Sequence, residues 1–124
     1  LNSGIMSQTL DCTYKVCAIW IVQFSWDESK ATNNKKKHKV SFQEALTTFY
    51  DENALVIPDH EHSKKEDRFI LLGLSRELRL LLVSHCYRDS DDLIRIISAR
   101  KATTKESKQY EEQLWKKNTT FLKQ

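Results

Sequence analysis

The stretch LIRIISARKATTKE, residues 93–106, carries the strongest fold signal in this sequence, because a strand runs directly into a capped helix. Leu93–Ala99 is rich in β-branched residues, which predicts a strand. The following Thr-Thr-Lys-Glu segment is a capping box, in which the Thr103 hydroxyl and the Glu106 carboxylate each accept from the other's exposed backbone N–H. The sequence therefore predicts a helix that continues through about Lys117.

Three further apolar runs precede this stretch, and polar turns separate them. They are Ala54–Ile57, Arg68–Leu74 and Arg79–Tyr87. Pro58 ends the first run or confines it to a sheet edge, because proline has no N–H to donate to a ladder. The short connections favour antiparallel neighbours over parallel strands with helical crossovers.

The N-terminal half predicts one strand followed by two helices. Lys15–Trp26 contains enough β-branched and aromatic residues for the strand. Asp27 is the expected N-cap of a helix over residues 28–38, which has almost no apolar face. A second capping box, Ser41–Glu44, opens a helix that buries one face and ends near Tyr50.

The predicted order of elements is β-α-α-β-β-β-β-α, which is an α+β fold. It consists of an antiparallel sheet with two N-terminal helices and one C-terminal helix. We expect residues 1–14 to be a leader without regular structure and residues 15–124 to form a single domain.

The composition is that of a soluble globular protein. Hydrophobic residues make up 40% and charged residues 30%, with only 2 Gly and 1 Pro, which excludes collagen-like and disordered classes. No apolar cluster is long enough to span a membrane, and no secretory signal pattern is visible, so a cytoplasmic location is expected.

The three cysteines, Cys12, Cys17 and Cys86, lack metal-type spacing and are interpreted as reduced thiols. A net charge of +3 is mild, so the distribution of the basic residues matters more.

Two ordered motifs resemble a known protein family. The first comprises Phe24-Ser25-Trp26-Asp27, Lys30, Asn34, Lys37-His38 and Ser41-Phe42, and the second runs from Arg95 to Thr103. Arg68, Gly73 and Tyr110-Glu111 lie at compatible positions. On these residues the chain resembles the BrnT family of type II toxins over about residues 22–112. The family usually has glycine where this chain has Lys39, a position suited to a C′ residue with positive φ.

The resemblance implies a compact RelE-like ribonuclease that blocks translation by cutting RNA. We expect no cofactor. It also implies a cognate BrnA-like antitoxin that neutralises the toxin. Operator DNA would be contacted only through the antitoxin, and the complex would repress its own operon.

Cleavage of RNA without a metal requires a base for the 2′-OH proton, cations for the pentavalent phosphate and an acid for the leaving oxygen. The catalytic candidates are Arg95, Arg100 and His85. Arg95 interrupts an apolar strand, which is costly unless it faces a ligand or a carboxylate. Arg100 lies where that strand meets the final helix; the structural alternatives are a salt bridge for Arg95 and simple exposure for Arg100. His85 serves either as an acid or base or as a hydrogen-bonded core residue.

Basic residues outside this set are candidates for binding the RNA backbone. They are Lys30, Lys37, His38, Arg68 and Arg88. A lysine-rich helix without an apolar face can bind phosphates, and such binding weakens as the salt concentration rises. The same helix can instead be ordinary solvated surface, or it can dock an acidic patch on the antitoxin.

The segment Asp-His-Glu-His at residues 59–62 has a composition that invites a metal site. A metal site needs three or four convergent ligands, whereas this segment lies beside Pro58 in a highly charged turn. We therefore interpret it as a solvated loop and predict no metal.

Two alternatives to the ribonuclease toxin stay open at this point. The first is a catalytically degenerate toxin that still binds its antitoxin, which the departure at Lys39 allows. The second is a nucleic-acid-binding regulator that does not cleave, although no helix-turn-helix pattern is visible.

Overall fold

The computed structural model describes residues 3–8, 22–62, 64–88 and 92–122. Its strands and helices, in chain order, are β1 (Ser3–Gln8), β2 (Val22–Asp27), α1 (Glu28–His38), α2 (Phe42–Thr47), β3 (Leu55–Pro58), β4 (Arg68–Leu74), β5 (Leu80–Arg88), β6 (Leu93–Lys101) and α3 (Thr104–Leu122). Short 3₁₀ turns, Thr48–Tyr50 and His60–His62, follow α2 and β3. None of the described helices is both long enough and apolar enough to cross a membrane.

The six described strands form one sheet in the order β1-β2-β6-β5-β4-β3. Strands β3 to β6 are antiparallel neighbours, as their short connections predict, and β3 with its Pro58 lies at the sheet edge. The α+β class and its three helices are confirmed. One pairing departs from the prediction: β2 and β6 run parallel. Helices α1 and α2 connect β2 to β3, which lies at the opposite edge of the sheet. Strands β3 to β6 then follow one another across the sheet until β6 lies next to β2.

The N-terminal segment differs from its sequence prediction. Ser3–Gln8 lies in the expected leader, yet it forms a strand that pairs antiparallel with β2. Pairing at a sheet edge uses backbone N–H and C=O groups, which every non-proline residue has, so it requires no apolar pattern. Residues 9–21, which include the start of the predicted first strand, lie outside the described residues.

The hydrophobic core lies between one face of the sheet and the two N-terminal helices. Its fully buried members include Phe24, Trp26, Val40, Phe42, Leu81, Val83 and Ile96. The rings of Trp26 and Phe42 meet edge to face with centroids 5.9 Å apart, which joins β2 to α2.

Helix α1 is attached to the sheet through a side-chain amide rather than an apolar stripe. The Asn34 amide nitrogen donates to the carbonyls of Val40 and Ala99 at 2.9 and 2.8 Å, and its oxygen accepts from the Ala99 N–H at 3.1 Å. Asn34 is buried, while the remaining helix face carries lysines toward solvent. This bonding explains how so polar a helix packs on the sheet.

Lys39 takes the backbone conformation that the resemblance assigns to a glycine. Its φ of 61° and ψ of 30° are left-handed, and its N–H donates to the carbonyl of Lys35 at 3.0 Å. A non-glycine residue there costs on the order of 1 kcal/mol. The turn from α1 to α2 is therefore kept, with some strain.

The two predicted capping boxes differ in the structure. The box at α3 is complete: Glu106 N donates to Thr103 Oγ1 at 3.2 Å, and Thr103 N donates to Glu106 Oε1 at 2.8 Å. At α2 the Ser41 hydroxyl accepts from Glu44 N at 3.0 Å. The reciprocal bond predicted for Glu44 is wrong, because its carboxylate binds Ser75 and Arg79 on the β4–β5 hairpin instead.

Candidate functional site

A groove of about 410 Å³ brings together residues from α1, from the turn after β3 and from three strands. Ile70, Leu82 and Ser84 line it, and they alternate along their strands with the core residues Leu71, Leu81 and Val83. Since successive strand residues point to opposite faces, these three side chains belong to the sheet face that turns away from the core. The ionisable side chains that line the groove are His38, Asp59, His62, Arg68 and Arg100.

The groove is predominantly basic. Two guanidinium groups and two imidazoles face one carboxylate across it. Three of the sequence-predicted candidates, His38, Arg68 and Arg100, meet there although they are far apart in the sequence. Such an arrangement favours an anionic ligand, because low-dielectric walls concentrate the field of the cations.

Arg100 is held in place by the helix cap that follows it. Its Nη1 and Nη2 each donate to one carboxylate oxygen of Glu106 at 2.9 Å, and Nη1 also donates to the carbonyl of Lys101 at 3.2 Å. The hydrogen bonds from Arg100 lower the pKa of Glu106 to about 2. The side chain of Arg100 is still 38% exposed, so Glu106 orients the guanidinium group while the group stays accessible to a ligand in the groove.

Arg68 and Arg88 share a carboxylate beside the groove. Arg88 binds Glu66 at 2.7 Å, and Arg68 Nε lies 3.9 Å from the other oxygen of the same carboxylate. Arg68 lines the groove from the start of β4, whereas Arg88 at the end of β5 is not among the lining residues.

Arg95 lies on the same row of the sheet as Arg68. In the strand register Cys86 is opposite Arg68 on one side and Arg95 on the other. Arg95 is half-buried and makes no ion pair with any described residue, so the salt bridge that the sequence allowed for it is not found there. It extends the basic surface beyond the groove without lining the groove itself.

The two lysine candidates lie on the outer surface of α1. Lys30 and Lys37 are exposed and do not line the groove. His38, the last residue of α1, is half-buried and joins this lysine surface to the groove wall.

His85 lies in the core, which favours the structural role that the sequence left open. Its side chain is fully buried and packs edge to face against Phe49, with ring centroids 4.8 Å apart. Its Nε2 lies 3.1 Å from the Tyr87 hydroxyl, and Nδ1 lies 3.2 Å from the Val83 carbonyl. Burial lowers the pKa of His85 to about 4, so the ring is neutral at physiological pH.

The depressed pKa of His85 predicts that the fold weakens in mild acid. Unfolded chains take up a proton on this histidine below about pH 6.5, whereas the folded protein does so only near pH 4, so stability is lost as the pH falls through that window. The expected loss between pH 7 and pH 5 is about 2 kcal/mol. Urea denaturation at the two pH values measures it, and a His85→Gln variant should show a much flatter dependence. An equally steep dependence in that variant would assign the effect to other groups.

Sequence reasoning missed the two residues that form the far wall of the groove. The sequence predicts a solvated loop at 59–62, and His60, Glu61 and His62 are indeed exposed there. Asp59 is half-buried, and it lines the groove together with His62, whose Nδ1 lies 2.9 Å from Asp59 Oδ2. The usable signal is the spacing of an acid and a histidine by three residues directly after a strand-ending proline. Among the described residues, no group of three or more potential metal ligands converges.

Comparisons with known proteins agree with the motifs. The family model described as "Ribonuclease toxin, BrnT, of type II toxin-antitoxin system" matches residues 26–106, well over half of the chain. Among solved structures, the ribonuclease toxin BrnT of Brucella abortus matches with a TM-score of 0.50 at 26% sequence identity. The match covers 64% of this chain and 94% of the Brucella chain. No curated protein sequence matches.

Proposed function

The chain belongs to the BrnT family of ribonuclease toxins from type II toxin–antitoxin systems, and we propose that it cleaves RNA in the basic groove described above. Cleavage of cellular RNA would block translation, and a cognate antitoxin would neutralise the protein. The family membership confirms the resemblance that the two motifs indicate. The assignment of the reaction to this groove is our proposal.

The observation that carries the proposal is the convergence of Arg68 and Arg100 on one groove. The scissile phosphate gains negative charge in the transition state, and fixed guanidinium groups stabilise that charge. A guanidinium has five N–H donors, of which Glu106 and the Lys101 carbonyl use three in Arg100. The two others are available for phosphate oxygens while Glu106 keeps the group in position.

We propose that the reaction uses no metal and no cofactor. The arginines supply the positive charge that a divalent cation supplies in two-metal nucleases. The exposed basic surface continues from the groove along α1, through His38 to Lys37 and Lys30, and is suited to the backbone of a longer RNA. Arg88 and Arg95 extend it on the strand side.

The partners that this function implies are an RNA substrate and a BrnA-like antitoxin in the cytoplasm. Operator DNA would be reached through the antitoxin. The backbone at Lys39 has the left-handed conformation that a glycine at the C′ position would take, which favours an active toxin over a degenerate binding module.

Induction of the chain alone in a bacterium tests this function. We expect growth arrest with fragmented RNA, and co-expression of a cognate antitoxin should restore growth. Purified protein should cut a transcribed RNA in buffer containing EDTA, and addition of Mg²⁺ should not be required. Normal growth with intact transcripts would support the degenerate toxin, and tight binding of RNA without cleavage would support the regulator.

A further inference from the structure

We infer that His62 is the general base that removes the 2′-OH proton and that Asp59 is its positioning residue. The inference deepens the proposed function and rests on it, because it assigns a role within the same groove. Neither residue was among the sequence candidates.

The contacts of the pair support this assignment. An ionised carboxylate can only accept, so the 2.9 Å contact between Asp59 Oδ2 and His62 Nδ1 places the ring proton on Nδ1. The Nε2 lone pair is then left to accept a proton from a ligand. The Asp59 side chain is 12% exposed and the His62 side chain is 62% exposed, so a shielded acid orients an accessible base.

The backbone fixes the pair relative to the phosphate-binding arginine. Asp59 N donates to the carbonyl of Arg68 at 2.8 Å, and His62 N donates to the carbonyl of Asp59 at 3.3 Å. The edge strand β3 thus places the base beside Arg68. His38, Arg68 and Arg100 are the other ionisable groups that line this groove.

The proposed step is a transesterification within the RNA. His62 Nε2 takes the 2′-OH proton while the 2′ oxygen forms a bond to phosphorus, and the bond from phosphorus to the 5′ oxygen breaks. The 5′ oxygen takes a proton from water, and His62 then returns its own proton to the resulting hydroxide. The products are a 2′,3′-cyclic phosphate and a 5′-hydroxyl end, and no oxidant or further reactant is needed. Arg68 and Arg100 stabilise the charge that develops on phosphorus-bound oxygens.

The ordinary explanation of an Asp–His contact three residues apart is a capped surface turn. The two explanations predict different effects on RNA cleavage when each histidine of this turn is replaced. His60 lies in the same turn and is exposed, but it does not line the groove. The variant His60→Gln is therefore the matched control for His62→Gln.

The test uses the full-length protein and a transcribed RNA of several hundred nucleotides. We expect His62→Gln to lower kcat by about 100-fold with KM little changed, since a general base contributes on that order. His60→Gln should cleave like the wild type. Asp59→Asn should lower kcat while KM stays the same, and added imidazole should partly restore cleavage by His62→Ala.

Each outcome decides between the explanations. Cleavage by His62→Gln at the rate of His60→Gln would overturn the inference and leave the proposed function standing. A loss in His62→Gln accompanied by a lower melting temperature, with no imidazole rescue of His62→Ala, would assign the pair a purely structural role. Wild-type protein that leaves RNA intact would overturn the proposed function and this inference together.

Discussion

Replacement of Arg100 with alanine should lower the rate of RNA cleavage by about 100- to 1000-fold and abolish growth arrest. The guanidinium lies in the groove with two donors left for phosphate, and removal of one preorganised donor from such a site has an effect of this size. Cleavage of a defined transcript under single-turnover conditions measures the change.

The partner of Arg100 supplies the control that separates catalysis from stability. Glu106→Gln removes the ion pair but leaves the arginine in the groove, and the amide oxygen can still accept from Thr103 N. We expect Glu106→Gln to reduce cleavage by about tenfold or less. Both variants should lose similar stability, about 1 kcal/mol or less, because the pair is partly exposed. Equal losses of cleavage in Arg100→Ala and Glu106→Gln would show that Arg100 anchors α3 and does not itself contribute to catalysis.

Replacement of Glu44 with alanine should destabilise the fold by about 3 kcal/mol. The Glu44 carboxylate is buried and accepts from Ser75 Oγ at 2.7 Å, from Arg79 Nε at 2.9 Å and from Arg79 Nη2. The hydrogen bonds from Arg79 keep the pKa of Glu44 below its usual range, so the carboxylate is ionised. Arg79 also donates to the Lys39 carbonyl at 3.1 Å, so the alanine variant loosens the α1–α2 turn together with the β4–β5 hairpin.

Urea denaturation of a double-mutant cycle isolates the cause of that loss. Glu44→Ala leaves an arginine without its carboxylate, whereas Glu44→Ala with Arg79→Ala removes both charges. We expect the double variant to lose less stability than the sum of the two single variants, because the pair is coupled. Additive losses, or a Glu44→Ala variant as stable as the wild type, would show that the carboxylate contributes little to the fold.

The parts of the fold that depend on residues close together in the sequence were predictable. The Asp27 cap bonds to Ser29 and Lys30, and the Thr103–Glu106 box closes within four residues, so their signals are local. The partner of Glu44 was not predictable, because Arg79 lies on a distant hairpin and competes with the local cap. Distant partners of this kind decide which of several possible hydrogen bonds a side chain makes.

The sequence predicts several basic residues of the candidate site but not where in the fold they come together. Val83 and His85 are two residues apart and so share one strand face, but alternation alone does not tell which face is buried. The role proposed for Asp59 and His62 depends on the pairing of β3 with β4, which brings the end of one strand next to Arg68. The spacing of Asp59 and His62 after Pro58 marks the turn as a candidate, but it does not show that the turn lies beside Arg68.

The parallel pairing of β2 with β6 determines the stage of synthesis at which the sheet can close. Phe24 and Ser25 pair with Ile94 and Arg95, so β2 cannot complete its pairing until β6 has been synthesised. A contact between such distant positions raises the contact order and delays closure of the sheet. Because Arg100 lies at the end of that same strand, the groove is completed only after β6 has been synthesised, and translation products that stop before β6 lack it.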